Sequence, residues 1–179
     1  PELRDTVRLS ATLDRALEWC ADRLLSGVPA DATPTGLRAF LEAELPDADA
    51  VETILEAFEP VAFATGEPLV RQGDPPDVLY YVAEGRVSAL LDRADGLRIR
   101  LETMGGGSLV GELGFYTGAE RSASVVADEP TRAYRLTRDD VERMTSEAPA
   151  VAAAFHELVV RLLAKRTGRL MRVVEALQG

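Results

Sequence analysis

An acidic and a basic residue stand close together in the glycine-rich segment GELGFYTGAERSA, residues 111–123. Gly111 and Gly114 carry no Cβ, so the backbone there can approach a ligand closely, and the free amides of a short helical turn suit a phosphate. Arg121 offers a guanidinium fork that matches two phosphate oxygens. Glu112 would repel a phosphate, but a carboxylate accepts a hydrogen bond from a ribose hydroxyl. These residue types predict a nucleotide that carries both groups close together.

The same residues also have a simpler interpretation. Glu112 and Arg121 could form an ion pair that braces a turn, with no ligand involved. Ser122 supplies a hydroxyl for a phosphate, but a serine that begins a strand needs no ligand to explain it. The residue types alone leave these two interpretations open.

The elements that must position this segment fall into three zones. Residues 1–59 are mainly helical in pattern. Residues 60–137 contain short β-type runs between glycines, and RADGLR holds an Asp-Gly pair typical of a hairpin, so this zone predicts a sandwich or barrel. From Thr137 the pattern becomes helical again, and a long helix is predicted from Val151 to Leu177.

Helix boundaries are predicted from capping residues. ATLDRALEWCADRLL has apolar residues at helical spacing after Thr12, and Pro34 marks a helix start in TPTGLRAFLEAEL. Asp47 is the predicted N-cap of ADAVETILEAF. Thr137 is the predicted N-cap of a helix that stops at Pro149.

Composition and charge exclude several classes of protein. The 179 residues include 30 Asp and Glu against 20 Lys and Arg, a formal net charge of −10, which argues against a nucleic-acid partner. Cys20 is the only cysteine and His156 the only histidine, so neither a disulfide, a histidine-cluster metal site nor a catalytic triad can be assembled. We therefore expect no enzyme, no metal and no cofactor. The absence of a signal peptide or long apolar run predicts a soluble, cytoplasmic chain.

The motifs resemble those of one known family. Residues 58–178 resemble the cyclic nucleotide-binding domain of the catabolite activator protein and of protein kinase A regulatory subunits, through FATGEPLVRQGDPPDVLYYVAEGRV, GELGFYTGAERSASVVA and the closing helix. The resemblance implies an α+β fold: an eight-stranded antiparallel β-roll, jelly-roll-like, with N-terminal helices and a long C-terminal lid helix. It divides the chain into a helical linker region, residues 1–57, and a binding domain, residues 58–179.

The family also implies roles for matching positions. Glu112 would bind the ribose 2′-hydroxyl and Arg121 the cyclic phosphate, helped by Ser122. Base contacts fall on Arg166 and Thr167 in the lid helix. The complete set of implied ligand-binding residues is Gly111, Glu112, Leu113, Gly114, Arg121, Ser122, Ala123, Arg166 and Thr167.

A second resemblance concerns the N-terminal region. LDRALEWC, residues 13–20, looks like the end of the STAS domain of bacterial SulP-type anion transporters, some of which carry a cyclic nucleotide-binding domain behind it. This resemblance implies a regulatory domain on the cytoplasmic face of the inner membrane, with a transporter as its effector in the same full-length chain.

The expected function is ligand sensing. A cyclic nucleotide, cAMP with cGMP as the alternative, would bind in the β-roll and move the lid helix, which passes the change to an attached effector. A transcription factor would need a helix-turn-helix after the long helix. A degenerate module that binds no nucleotide and serves in protein interaction remains the main alternative, and the apolar stripe of the last helix could also pair two copies in a homodimer.

Overall fold

The computed structural model describes residues 36–178. The predicted helix in ATLDRALEWCADRLL and the STAS-like run lie outside these residues. The described elements, in chain order, are α1 Leu37–Glu44, α2 Ala48–Ala57, β1 Glu59–Phe63, β2 Pro68–Val70, β3 Val78–Glu84, β4 Arg86–Asp92, β5 Arg98–Gly105, β6 Ser108–Val110, α3 Glu112–Thr117, β7 Ser124–Ala127, β8 Thr131–Thr137, α4 Arg138–Glu147 and α5 Pro149–Gln178.

The eight strands form two antiparallel sheets of four. One sheet has the order β1-β8-β3-β6 and the other β2-β7-β4-β5. Strands distant in the chain pair at the centres of both sheets: β3 lies against β8, with Leu79 opposite Leu136, and β4 lies against β7. This arrangement confirms the predicted α+β fold with an antiparallel β-roll and a long C-terminal helix.

The hairpin predicted at RADGLR is confirmed and joins β4 to β5. The amide of Arg93 donates to the carbonyl of Leu97 at 2.9 Å, and the amide of Gly96 to the carbonyl of Arg93 at 3.0 Å. Gly96 has φ +80°, a backbone angle that favours glycine. The hairpin brings β5, one wall of the cavity described below, beside β4.

The helix ends follow the capping residues in two of three cases. The Asp47 side chain accepts from the Asp49 amide at 3.0 Å, and Thr137 forms a capping box with Asp140. In contrast, α1 begins at Leu37 and not at the predicted Pro34. Gly36, at φ +94°, is the N-cap, and its positive φ prevents the helix from extending further towards the N-terminus.

Two hydrophobic cores hold these elements. The core inside the roll includes Val82 and Val87, both 0% exposed. The second core lies between the helices and the outer face of the β3–β8 pair, where Phe40 of α1 packs on Tyr81 with ring centroids 4.8 Å apart. The first half of α5 enters this second core through Ala152, Phe155, Leu158 and Val159. This packing fixes the start of α5, so that its later residues run along the mouth of the roll.

None of the helices between residues 36 and 178 is long and apolar enough to cross a membrane.

Candidate ligand-binding site

The short helix α3 is held between two glycines. Gly111 precedes it at φ +84°, and Gly118 follows it at φ +70°. A Cβ on Gly111 would lie 2.9 Å from Nη1 of Arg121 and 3.2 Å from the carbonyl oxygen of Val78. The turn before α3 therefore needs glycine both for its backbone angle and for the close approach of Arg121.

Glu112, the first residue of α3, is a buried carboxylate. The residue is only 3% exposed, and its Oε1 accepts from Nη1 of Arg166 at 2.7 Å. Burial raises the pKa of Glu112 above its ordinary value, because desolvation penalises the charged form, while the positive charge of Arg166 opposes that shift. Glu112, predicted to accept a hydroxyl, is thus largely shielded from solvent, and its counter-charge comes from Arg166 on α5.

Arg121 is a buried cation that bonds to backbone carbonyls. It is 5% exposed; Nη1 donates to the Gly111 carbonyl at 2.7 Å, and Nη2 donates to the Val78 carbonyl. Its Nε is buried with no hydrogen-bond partner among the described residues. No carboxylate between residues 36 and 178 forms a salt bridge with it, and burial lowers its pKa. The Glu112–Arg121 ion pair of the alternative, ligand-free interpretation is therefore not formed.

A cavity of about 160 Å³ lies between the roll and α5. Its charged lining residues are the acids Glu102 and Glu112 and the bases Lys165 and Arg166. Most of the other lining residues are apolar. The lining residues are Glu102, Met104, Gly107, Ser108, Leu109, Glu112, Val159, Leu162, Leu163, Lys165 and Arg166.

The structure brings only part of the predicted set to this cavity. Glu112 and Arg166 line it and contact each other. Arg121 does not line the cavity, and Thr167 of α5 is exposed. Leu113 and Ser122 are also exposed, while Gly111, Gly114 and Ala123 are partly buried.

Glu102 is a cavity residue that the sequence interpretation missed. It lies on β5, two residues before Met104, which also lines the cavity. Residues two apart on a strand share a face, so this spacing was the available signal. The run LRIRLETM nevertheless gives no sign that one of its polar residues faces a pocket.

Two further side chains fix α3 from outside the cavity. Arg138 lies 4.5 Å from the centre of the Phe115 ring and donates to the Phe115 carbonyl at 2.6 Å. The hydroxyl of Tyr116 lies 2.9 Å from Nδ1 of His156 on α5. The helix α3 is therefore attached through Phe115 to the first residue of α4, and through Tyr116 to the first half of α5.

Within residues 36–178, no group of three or more His, Cys, Asp or Glu side chains could hold a metal ion.

Comparison with known proteins identifies the domain. Residues 60–148 match the family model "Cyclic nucleotide-binding domain". The cyclic AMP receptor protein of Thermus thermophilus is 36% identical over 113 residues, which cover 63% of this chain and 52% of that protein. A putative potassium channel protein of Rhodopseudomonas palustris is 33% identical over 117 residues, which cover 65% of this chain and 27% of the channel.

A solved structure extends the match to the fold. The N-terminal domain of a transcriptional regulator from Streptomyces coelicolor A3(2) has a TM-score of 0.61 and 31% identity, and the match covers 73% of this chain and 93% of that domain. The chain spans about half the length of the cyclic AMP receptor protein. Through a domain that includes residues 60–148, the chain belongs to the cyclic nucleotide-binding domain family of the catabolite activator type.

Proposed function

We propose that this domain is a sensor that binds a cyclic nucleotide, cAMP, and passes a movement of α5 to an attached effector. The observation that carries the proposal is the state of Arg121: a guanidinium 5% exposed, with no salt-bridge partner among the described residues and an unpaired buried Nε. A buried cation that forms no direct salt bridge is costly, even with the carboxylates of Asp74, Asp77 and Glu112 in electrostatic range. A phosphate placed at α3 supplies a direct ionic partner.

Glu112 and Arg121 bind different groups of the ligand. Arg121 turns from the Val78 and Gly111 carbonyls towards the cyclic phosphate, which also accepts from the amides of α3 and from the Ser122–Ala123 segment. Glu112 accepts the ribose 2′-hydroxyl. The base lies under α5 beside Arg166, and Thr167 reaches it only after α5 has moved, since its side chain is exposed.

The size of the cavity supports a moving lid. Pockets for small ligands measure roughly 300–1,000 Å³, and this one measures about 160 Å³. A nucleotide therefore enters only when α5 moves away from the roll, and α5 then closes over it. A ligand shifts such an equilibrium only through its unequal affinity for the two positions of α5.

The ligand and effector are narrower proposals. The cyclic AMP receptor protein among the relatives supports cAMP, with cGMP as the alternative. For the effector, the LDRALEWC run favours an anion transporter in the same full-length chain, at the cytoplasmic face of the membrane. The relatives pair similar domains with a transcriptional regulator and with a channel, so this domain type is compatible with different effectors.

Calorimetric titration with cAMP, cGMP and adenosine tests the proposal. We expect wild type to bind a cyclic nucleotide but not adenosine, which has no phosphate. Arg121→Ala should weaken binding roughly 100-fold, because charge-assisted bonds to a phosphate are lost. Arg132→Ala is the matched control: it removes an exposed arginine that pairs with Glu84, and its affinity should equal that of wild type.

Absence of binding by wild type to either cyclic nucleotide would contradict the sensor and favour the interaction module. Equal affinities for wild type and Arg121→Ala would show that the phosphate lies elsewhere.

A further inference from the structure

Arg166 joins three separate elements across the mouth of the cavity. Its Nη1 donates to Oε1 of Glu112 on α3 at 2.7 Å, and its Nη2 donates to Oε2 of Glu102 on β5. The side chains of Arg166 and Glu102 are each 30% exposed, whereas that of Glu112 is 5% exposed. One guanidinium on the lid helix is thus shared between a partly exposed carboxylate and a buried one.

Among the described side chains of α5, those buried in the apolar core lie before this point. Phe155, Leu158 and Val159 are buried, and Leu162 and Leu163 are half-buried. Among the described side chains after Leu163, the contacts that tie α5 to the rest of the domain are made by charged groups. Lys165 pairs with Glu44 of α1 at 2.8 Å, and Arg166 pairs with the two cavity carboxylates. The position of this part of α5 over the cavity therefore depends on ion pairs.

The two partners of Arg166 have different consequences for a ligand. Glu112 is the carboxylate that the proposed function assigns to the ribose, so a sugar hydroxyl and Arg166 share its oxygens. Glu102 has no such role, so both oxygens of its carboxylate stay available to accept hydrogen bonds from the Arg166 guanidinium. When a hydroxyl donates to Glu112, Glu102 still holds Arg166, and with it α5, over the cavity.

We propose that Glu102 is a positioning residue that acts through Arg166 to keep α5 closed over a bound cyclic nucleotide. This inference rests on the proposed function and adds to it the residue that regulates closure. Loss of the Glu102 charge opens the lid more often, so that nucleotide leaves faster while its capture is little changed.

The test is a set of kinetic measurements with a fluorescent cAMP analogue on the full chain. Glu102→Gln should raise the dissociation rate roughly two- to fivefold, the range of a partly exposed ion pair, with the association rate little changed from wild type. Glu102→Asp, which retains the charge, should recover part of the slow dissociation. The Glu102→Gln/Arg166→Gln double variant should dissociate no faster than Arg166→Gln, because both changes remove the same contact.

Lys165→Gln is the matched control. It removes the neighbouring positive charge, which also borders the cavity but pairs with Glu44, and it should leave the effect of Glu102→Gln intact and additive. Additive effects of Glu102→Gln and Arg166→Gln, or slow dissociation in Glu102→Gln, would overturn the proposal.

Amide hydrogen exchange without nucleotide separates this inference from the proposed function. Glu102→Gln and Arg166→Gln should speed exchange in residues 159–168 and leave β3 unchanged. If wild type binds no cyclic nucleotide but this pattern appears, closure by Glu102 stands and the sensor fails. If nucleotide binds and exchange in residues 159–168 is unchanged in both variants, the sensor stands and the role of Glu102 is wrong.

Discussion

At the scale of single residues, the site keeps two opposite charges buried without pairing them to each other. Glu112 takes its counter-charge from Arg166 on α5, and Arg121 takes carbonyl oxygens in place of a carboxylate. Burial disfavours both charged forms, since it raises the pKa of Glu112 and lowers that of Arg121. Perturbed groups of this kind are concentrated at functional sites, where stability is given up for binding.

The raised pKa of Glu112 predicts how stability changes with pH. The pKa of Glu112 is higher in the folded domain than its ordinary value of 4.5, because burial disfavours the charged form. Protonated Glu112 therefore favours the folded state below pH 4.5, and this contribution to stability is lost as pH rises through the folded-state pKa. Glu112→Gln keeps the shape and an acceptor for Arg166 but has no charge to bury. We expect it to be more stable than wild type at pH 7, with the difference disappearing as pH falls below 4.5.

Urea unfolding across this pH range measures the effect. Glu120→Gln changes the net charge equally at an exposed position and should stay within about 0.5 kcal/mol of wild type. A Glu112→Gln variant less stable than wild type at pH 7 would mean that the ion pair with Arg166 outweighs the cost of burial.

The sequence predicts Glu112 and Arg121 as site residues, because an acid and an arginine in a glycine-rich turn match two groups of one ligand. It does not predict how their side chains are oriented. The sequence carries no sign that Arg121 bonds to Val78, which is distant in the chain, or that Arg166 bridges Glu102 and Glu112. These contacts depend on how β5, α3 and α5 pack, which is a tertiary property.

At the scale of elements, local signals predicted local structure. The Asp-Gly hairpin and the caps at Asp47 and Thr137 were predicted correctly because each depends on neighbouring residues only. The predicted start of α1 at Pro34 was wrong, because Gly36 is the N-cap and the helix begins at Leu37. The attachment of α3 by Arg138 could not be seen, since this arginine reaches Phe115 from another helix.

The two glycines that bound α3 give a matched pair of variants. Gly111→Ala and Gly118→Ala both place a Cβ at positive φ, which costs about 1–2 kcal/mol. At Gly118 the new Cβ meets nothing within 4 Å, whereas at Gly111 it meets Arg121 and the Val78 carbonyl. Gly111→Ala should therefore lower the free energy of unfolding by about 2–4 kcal/mol, and Gly118→Ala by about 1–2 kcal/mol. Equal losses of unfolding free energy in denaturant titrations would mean that Arg121 shifts away from the new Cβ without loss of stability.

At the scale of the whole molecule, α1 and α2 belong to the same hydrophobic core as the first half of α5. Leu37 and Leu41 of α1 and Ile54 of α2 are at most 2% exposed, in one cluster with Phe155. A division of the chain between residues 57 and 58 stays a prediction, and this packing makes it testable. A movement of α5 would also change its contact with α1, because Lys165 of α5 pairs with Glu44 of α1.

Shortened chains test whether these two helices are part of the folding unit. A chain that begins at residue 58 loses buried side chains that each contribute about 1.5–3 kcal/mol, a large share of a total stability of about 5–15 kcal/mol. We expect it to melt far below a chain that begins at residue 36, or not to fold. Burial raises the pKa of Tyr81 to about 12, and Phe40 covers that ring, so in the shorter chain Tyr81 should titrate closer to 10. If both chains melt alike and Tyr81 keeps its raised pKa, the helices before residue 58 are a separate linker, and α5 is held by the β-roll and α4.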